Sequence, residues 1–295
     1  LSSQGYFEQS ILLFDQIIRK RVKDFPSDQI WRARLGKAWA LYYTGDYSEA
    51  KEQFENVLKE KENEPTALQG LGYSYYQKES YPEARAELEK ALRISPGWFA
   101  VIDNLGWCEL KMQNYGRALA YFKEAIRLSP STVDAHVGAA WVRQKGNRVE
   151  ESLAHFRNAI ALDPRYVEND DFRKLLTKNR AYRELLLPLG ESYLSRGEYQ
   201  TAISRLRRAL YMEDTLRVRT NLAYACLQTK AYSEVISTLQ NLSKTPSTKE
   251  NALWRNASWS LGWAWYYEKN YEKALTIFER IEAMPEIGWC LLQQG

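Results

Sequence analysis

Apolar residues along the chain recur at the three- and four-residue spacing of helices that bury one face. Leu88, Ala91 and Leu92 form one such set, and Phe122, Ala125 and Ile126 another. Turn-forming residues separate these stretches at Gly45-Asp46, Asn114, Gly146-Asn147 and Gly197-Glu198. Pro96, Pro130 and Pro164 stand where one amphipathic stretch ends and the next begins, because proline fits the first turn of a helix and breaks its interior. No stretch carries a strand signal. The pattern predicts an all-α chain of short helices arranged as antiparallel pairs.

The pattern also repeats. Ala84, Ala118 and Ser152 are 34 residues apart, as are Leu88, Phe122 and Phe156, then Ala91, Ala125 and Ala159, then the three prolines. Leu71-Gly72 is matched at the same period by Leu105-Gly106 and Ala139-Ala140. One period held in several independent columns is the mark of stacked repeats, in which no helix pair buries its apolar faces alone. A prior of roughly 150 residues per domain therefore does not apply.

Taken together, these columns resemble the tetratricopeptide repeat, whose pattern places Leu-Gly in the first helix, Ala-x3-Phe in the second and Pro at the end. Four contiguous units start at Trp31, Pro65, Phe99 and Val133, and three more near Arg183, Leu216 and Arg255, so the resemblance covers about residues 31–164 and 183–286. Residues 1–30 hold a partial repeat, in which Ser10, Phe14 and Ile17 look like the second helix of a truncated unit. At the far end, residues 287–295 begin another: Ile287-Gly288-Trp289-Cys290 echoes Leu105-Gly106-Trp107-Cys108. The expectation is a chain that starts and stops inside a longer array. The family's Trp at the fourth position of each unit is replaced here by Arg34, Leu68, Ile102, His136, Leu186, Arg219 and Ser258. Two stretches interrupt the array. Residues 165–182 insert about one helix, expected to begin after Asp170 or Asp171 and to act as a hinge, and residues 243–252 lengthen a later joint. The resemblance implies a right-handed superhelical solenoid.

Composition changes this picture little: 45% hydrophobic and 26% charged residues describe a soluble protein. No apolar run approaches the ~20 residues of a membrane-spanning helix. Leu1 is not an initiator methionine, so the segment reads as a piece of a longer protein, and cytoplasmic and periplasmic settings both stay open. Net charge is +4, and the excess is local: residues 165–219 hold 12 basic and 8 acidic side chains, while the rest balances. Such a stretch suits an acidic partner; no nucleic-acid motif accompanies it.

Catalytic chemistry has little to stand on. His136 and His155 are the only histidines and fall at packing positions. Cys108, Cys226 and Cys290 lie in apolar helix segments without metal-ligand spacing. Acidic neighbours such as Glu150-Glu151 and Asp170-Asp171 sit at turns and helix starts. Asn241-Leu242-Ser243 and Asn256-Ala257-Ser258 match a glycosylation triplet, and the second lies in a predicted helix. The sequence reads as non-enzymatic, with no cofactor or metal.

One column carries a functional signal. In the family, the first helices line the concave face of the superhelix, and the ninth position of each unit here reads Trp39, Tyr73, Trp107, Trp141, Glu191, Tyr224 and Trp263. Tyr42, Tyr76 and Tyr266 lie one turn further on the same face. These rings either fill space between first helices or stand partly open as rigid binding anchors. Asn104 and Asn221 are placed to hydrogen-bond an extended backbone, and Arg217 to meet acidic groups. The basic clamp by which some family members hold a peptide C-terminus is unmatched at Leu35, Gln69, Asp103, Val137, Leu187, Thr220 and Trp259. What the resemblance implies is a scaffold that holds a partner peptide or helix in an aromatic groove. Two alternatives stay open: a carbohydrate-binding module of a bacterial cell envelope, and an array that assembles with copies of itself.

Overall fold

The computed structural model describes residues 3–20, 30–240 and 252–294. Its order is α1 (Ser3–Lys20), α2 (Ile30–Thr44), α3 (Tyr47–Glu60), α4 (Pro65–Gln77), α5 (Tyr81–Ile94), α6 (Phe99–Lys111), α7 (Tyr115–Leu128), α8 (Val133–Lys145) and α9 (Val149–Leu162). There follow α10 (Pro164–Val167), α11 (Asp170–Lys178), a 3-10 turn (Arg180–Leu185), α12 (Leu186–Ser195), α13 (Tyr199–Met212) and α14 (Leu216–Gln228). The last four are α15 (Tyr232–Leu239), α16 (Ala252–Tyr267), α17 (Tyr271–Arg280) and α18 (Met284–Gln294). Among the described residues there is no strand, as the periodicity predicts. The later interruption and the triplet at Asn241 lie outside the described residues but for Ala252.

Each repeat is an antiparallel pair, and the period is visible in how the pairs close. In all seven full repeats the first helix ends in the same paired bonds. Ser80 N–H donates to Tyr75 O at 3.0 Å and Glu79 N–H to Tyr76 O at 3.0 Å, and the same two bonds recur at Asn114/Gln113, Arg148/Asn147 and Asn270/Lys269. This is the Schellman closure, which places one residue in the left-handed region. Gly45 and Gly197 take that place in two repeats, but Glu79, Gln113, Asn147, Lys230 and Lys269 take it in the other five. At Gly146-Asn147 it is therefore Asn147, and not the glycine, that carries the positive φ of 56°.

Packing explains the small columns. Phe122 of α7 is fully buried between two first helices. A Cβ added to Gly106 of α6 would lie 2.7 Å from its ring, and one added to Gly138 of α8 would lie 2.2 Å away. Only hydrogen at both positions lets the helices approach this closely on either side of the ring. The apolar clusters have the same form. Ile102, Ala118, Phe122, Ala125, Ala135, Ala139 and Val142 draw on α6, α7 and α8 together, so the core is shared between repeats. At the start of the chain, Phe14 of α1 fills the equivalent place against Gly36.

The chain divides into two compact units, Leu1–His155 and Phe156–Gly295, the division falling within α9. In the second unit the inserted residues form two helices and the 3-10 turn. Asn169 caps α11 by accepting from Phe172 N–H at 2.9 Å. Phe172, Leu175, Leu176, Tyr182 and Leu185 are buried, and the Phe172 ring lies 5.1 Å from that of Phe156. The repeat expected near Arg183 enters its first helix only at Leu186, after the 3-10 turn.

A half-buried aromatic stripe and a buried carboxylate

In the first unit, Trp39, Tyr73, Trp107 and Trp141 stand on α2, α4, α6 and α8, and all four are half-buried. Three of them have ring neighbours that hold them. Trp39 meets Phe54 edge-on at 5.2 Å and Tyr73 at 6.1 Å, and Trp107 meets Phe122 edge-on at 5.5 Å. One face of Trp39 is also covered, by Tyr43 stacked at 6.0 Å. Tyr42 lies 6.1 Å from Tyr73, and Tyr76 packs on Tyr81 at 5.4 Å. In Trp39 and Trp107, packing and partial exposure thus occur in the same side chain: each is held by a second-helix phenylalanine and remains half-buried.

The second unit carries Tyr224, which is exposed and touches Tyr199 at 6.4 Å, and a denser group around Trp263. That indole meets Phe278 at 5.7 Å, Tyr266 at 5.2 Å and Trp259 at 6.0 Å, and stacks on Tyr267 at 5.6 Å.

Polar partners of the stripe are largely engaged with one another. The Tyr73 hydroxyl accepts from Gln69 Nε2 and from Asn104 Nδ2, both at 2.9 Å, and donates to Ala100 O at 3.3 Å. Burial pushes its ionisation well above the ordinary tyrosine range. Asn104 spends its second amide hydrogen on Ala100 O at 2.8 Å, so both Nδ2 hydrogens are engaged and Oδ1 is its remaining polar atom. In the second unit, Glu191, the exception in the ring column, accepts two bonds from Arg217 at 2.6 and 2.8 Å and one from Asn221 at 2.8 Å. Arg217 and Asn221 are therefore brought together, but around an internal carboxylate.

Most of the basic stretch is likewise paired: Arg205 with Glu168, Arg207 with Glu234 and Arg219 with Asp214. The pairs of Arg207 and Arg219, nearer the surface, contribute ~0–1 kcal/mol each, and the main effect of all three is to cancel charge. Lys178, Arg180 and Arg208 are exposed and form no ion pair among the described residues.

Asp103, on α6 one turn before Trp107, was legible only as a non-basic residue at a clamp position. It is 5% exposed, and its Oδ1 has no hydrogen-bond partner among the described residues. Desolvation, with Asp134 of α8 adding like charge, raises its pKa to about 8, while the Trp107 indole partly favours the charged form. Asp134 is itself held above the ordinary carboxylate range by desolvation. The histidines form a packed pair, Nδ1 to Nδ1 at 3.4 Å. His136 Nε2 faces Pro130 O at 3.2 Å and so must carry the proton, which makes its Nδ1 the acceptor and His155 the donor. Burial lowers both pKa values, which disfavours the charged forms. Cys108, Cys226 and Cys290 are buried free thiols. No group of three or more metal-ligating side chains occurs among the described residues, and no described helix is long and apolar enough to cross a membrane.

Solved structures similar to the chain include tetratricopeptide proteins. YrrB, described as a tetratricopeptide protein with an unusual peptide-binding site, is 20% identical over 70% of this chain and 95% of its own, with a TM-score of 0.44. TTC0263, a thermophilic protein of Thermus thermophilus, is 22% identical over 67% of this chain and 99% of its own, with a TM-score of 0.44. A chain of the APC/C hetero-tetramer Cut9–Hcn1 is 18% identical over 89% of this chain and 46% of that one, with a TM-score of 0.49. No curated protein matches. Tetratricopeptide-repeat profiles match residues 35–97, 104–167 and 185–220, more than half of the sequence. With the helix pairs, shared cores and repeated turn closures, these matches place the chain in the tetratricopeptide-repeat family as an all-α repeat scaffold.

Proposed function

We propose that the chain is a non-enzymatic scaffold that holds a partner peptide or helix against the first helices, with the aromatic stripe as anchor. The observation that carries this reading is the half-burial of Trp39, Tyr73, Trp107 and Trp141 on four successive first helices. Rings fixed at the root lose little conformational freedom on binding and still offer broad amphipathic area, the property that makes Trp and Tyr frequent hot spots. Asn104 Oδ1, beside Tyr73, suits a ligand backbone N–H. An acidic flank on the partner would meet Lys178, Arg180 and Arg208 rather than Arg217, whose charge Glu191 already balances.

Sugar binding by stacking needs open ring faces. Tyr43 covers one face of Trp39, and Tyr267 covers one face of Trp263, which favours a peptide over a glycan. An array carrying both peptides and glycans, probed with wild type and with Trp107→Ala/Trp141→Ala, tests the reading. The expected result is peptide signal lost by about tenfold or more in a variant whose helicity and melting stay close to wild type. Glycan signal with the same loss would transfer the stripe to carbohydrate. Equal binding by both proteins would make the rings packing groups only.

A further inference from the structure

The molecule treats its buried carboxylates in a consistent way, with one exception. Glu109, 1% exposed, has Arg85 at 3.4 Å, Arg117 at 3.7 Å and the Asn114 amide at 2.7 Å. Glu168 holds Arg205 and also accepts from the Tyr193 hydroxyl at 2.8 Å. The rule extends to a buried cation: Lys37 lies 3.0 Å from Asp15 and 2.8 Å from Glu49. Each buried charge meets its opposite, because burying an unpaired ion costs several kcal/mol. Asp103 does not follow the rule. No Lys, Arg or His among the described residues pairs with it or with Asp134, and its Oδ1 is buried without a partner.

Position gives the exception its meaning. Glu109 and Glu168 lock helices of the scaffold to one another, whereas Asp103, beside Asn104 on α6, is near enough to Tyr73 and Trp107 to act on one by its charge and to bond the other. The raised pKa follows from that placement and shows a carboxylate short of positive charge. A basic side chain supplies the charge this setting lacks, once the Asp103 carboxylate, 5% exposed, turns toward the first-helix face. Its ammonium or guanidinium makes charge-assisted bonds to Asp103 and meets Asp134 across the repeat boundary. Its aliphatic stem covers the half-buried indole of Trp107, where a cation close to the ring gains further attraction.

We propose that the groove of the first unit selects a Lys or Arg side chain of the bound peptide, with Asp103 as the specificity-determining counter-charge, Asp134 as its support and Trp107 as the wall. This rests on the peptide-groove reading above and adds the chemistry of the residue recognised. It also assigns opposite preferences to two regions: a basic anchor in the first unit, and an acidic flank beside Lys178, Arg180 and Arg208.

The test uses immobilised pools of short extended peptides with randomised flanks and a fixed central Arg, Lys, norleucine, Gln or Glu. They are probed with wild type, Asp103→Asn, Asp134→Asn and Trp107→Ala/Trp141→Ala. Wild type is expected to prefer the Arg and Lys pools over norleucine by about tenfold. Asp103→Asn should bring these pools level while the norleucine signal persists, and Asp134→Asn should reduce the preference a few-fold. Asp103→Asn is isosteric and removes a buried group whose ionisation is costly, so its melting temperature above neutral pH should equal or exceed that of wild type. A variant that fails this check leaves the decision to Asp134→Asn, at a residue exposed overall though its carboxyl is partly desolvated. Equal binding of all central residues by wild type, or a basic preference that survives both substitutions, overturns the assignment to Asp103 while sparing the groove. Absence of binding by every pool overturns both.

Discussion

At the scale of single residues, Asp103 makes a prediction that needs no ligand. Its folded pKa of about 8 lies above the ordinary carboxylate value, so the native state holds a proton that the unfolded chain has released. The contribution to stability is full below the unfolded pKa and is lost as pH rises through the folded one, at up to about 1.4 kcal/mol per pH unit. Asp103→Asn cannot titrate, and the titrations of the histidine pair cancel in the comparison. The variant should therefore gain stability relative to wild type between about pH 5 and pH 8, read as denaturation midpoints across that range. A constant difference would mean that Asp103 is ionised and paired in the folded protein. Nothing in the sequence marked this residue beyond its failure to be basic, because the groups that act on it or feel its charge, Tyr73, Trp107 and Asp134, are spread over three consecutive repeats. The rings were legible, since a column of aromatics at one repeat position survives whatever the neighbours do. Whether they were packed or open was a question about second-helix residues such as Phe54 and Phe122, which meet the half-buried rings of Trp39 and Trp107 edge-on.

At the scale of elements, helix boundaries followed from columns that were plain in the chain. Pro96 and Pro130 stand two residues beyond the ends of α5 and α7, and Pro65 opens α4. The 3-10 turn before α12 was not legible, because the apolar run from Leu185 to Leu187 gives no cue to where a helix starts. Nor was the residue that turns the chain. Glycine in Gly146-Asn147 suggested the left-handed position, yet asparagine takes it, as Glu79, Gln113, Lys230 and Lys269 do elsewhere. A side chain there costs about 1–2 kcal/mol, and glycine returns part of that relief through the freedom it adds to the unfolded chain. Gln113→Gly, at a φ of 63°, should then stabilise the protein by up to about 1 kcal/mol, and Lys269→Gly by a similar amount. Thermal or urea unfolding of each variant against wild type checks it; a loss of stability in both would mean that the side chains contribute more than the strain they carry.

At the scale of the molecule, a repeat scaffold transmits a perturbation to adjoining repeats and little further, and this can be measured through its glycines. Phe122 is clasped between Gly106 and Gly138, whereas Gly36 lies against Phe14 of α1 and shares no partner with either. A methyl group at Gly138 presses a fully buried ring toward Gly106, so overpacking of about 1–3 kcal/mol should exceed the ~1 kcal/mol that alanine gains in helix propensity. With alanine at both Gly106 and Gly138 the ring has no side to yield toward, and the combined loss should exceed the sum of the single losses by about 0.5 kcal/mol or more. Gly36→Ala combined with Gly138→Ala meets two different rings and should add within roughly 0.5 kcal/mol. Urea midpoints of the three single and two double variants decide between these outcomes. Additivity in the Gly106/Gly138 pair would mean that the core relaxes around Phe122 independently on its two sides. Coupling in the Gly36/Gly138 pair would mean that strain travels through several stacked helices, and the binding face on those same helices would then respond as one body rather than repeat by repeat.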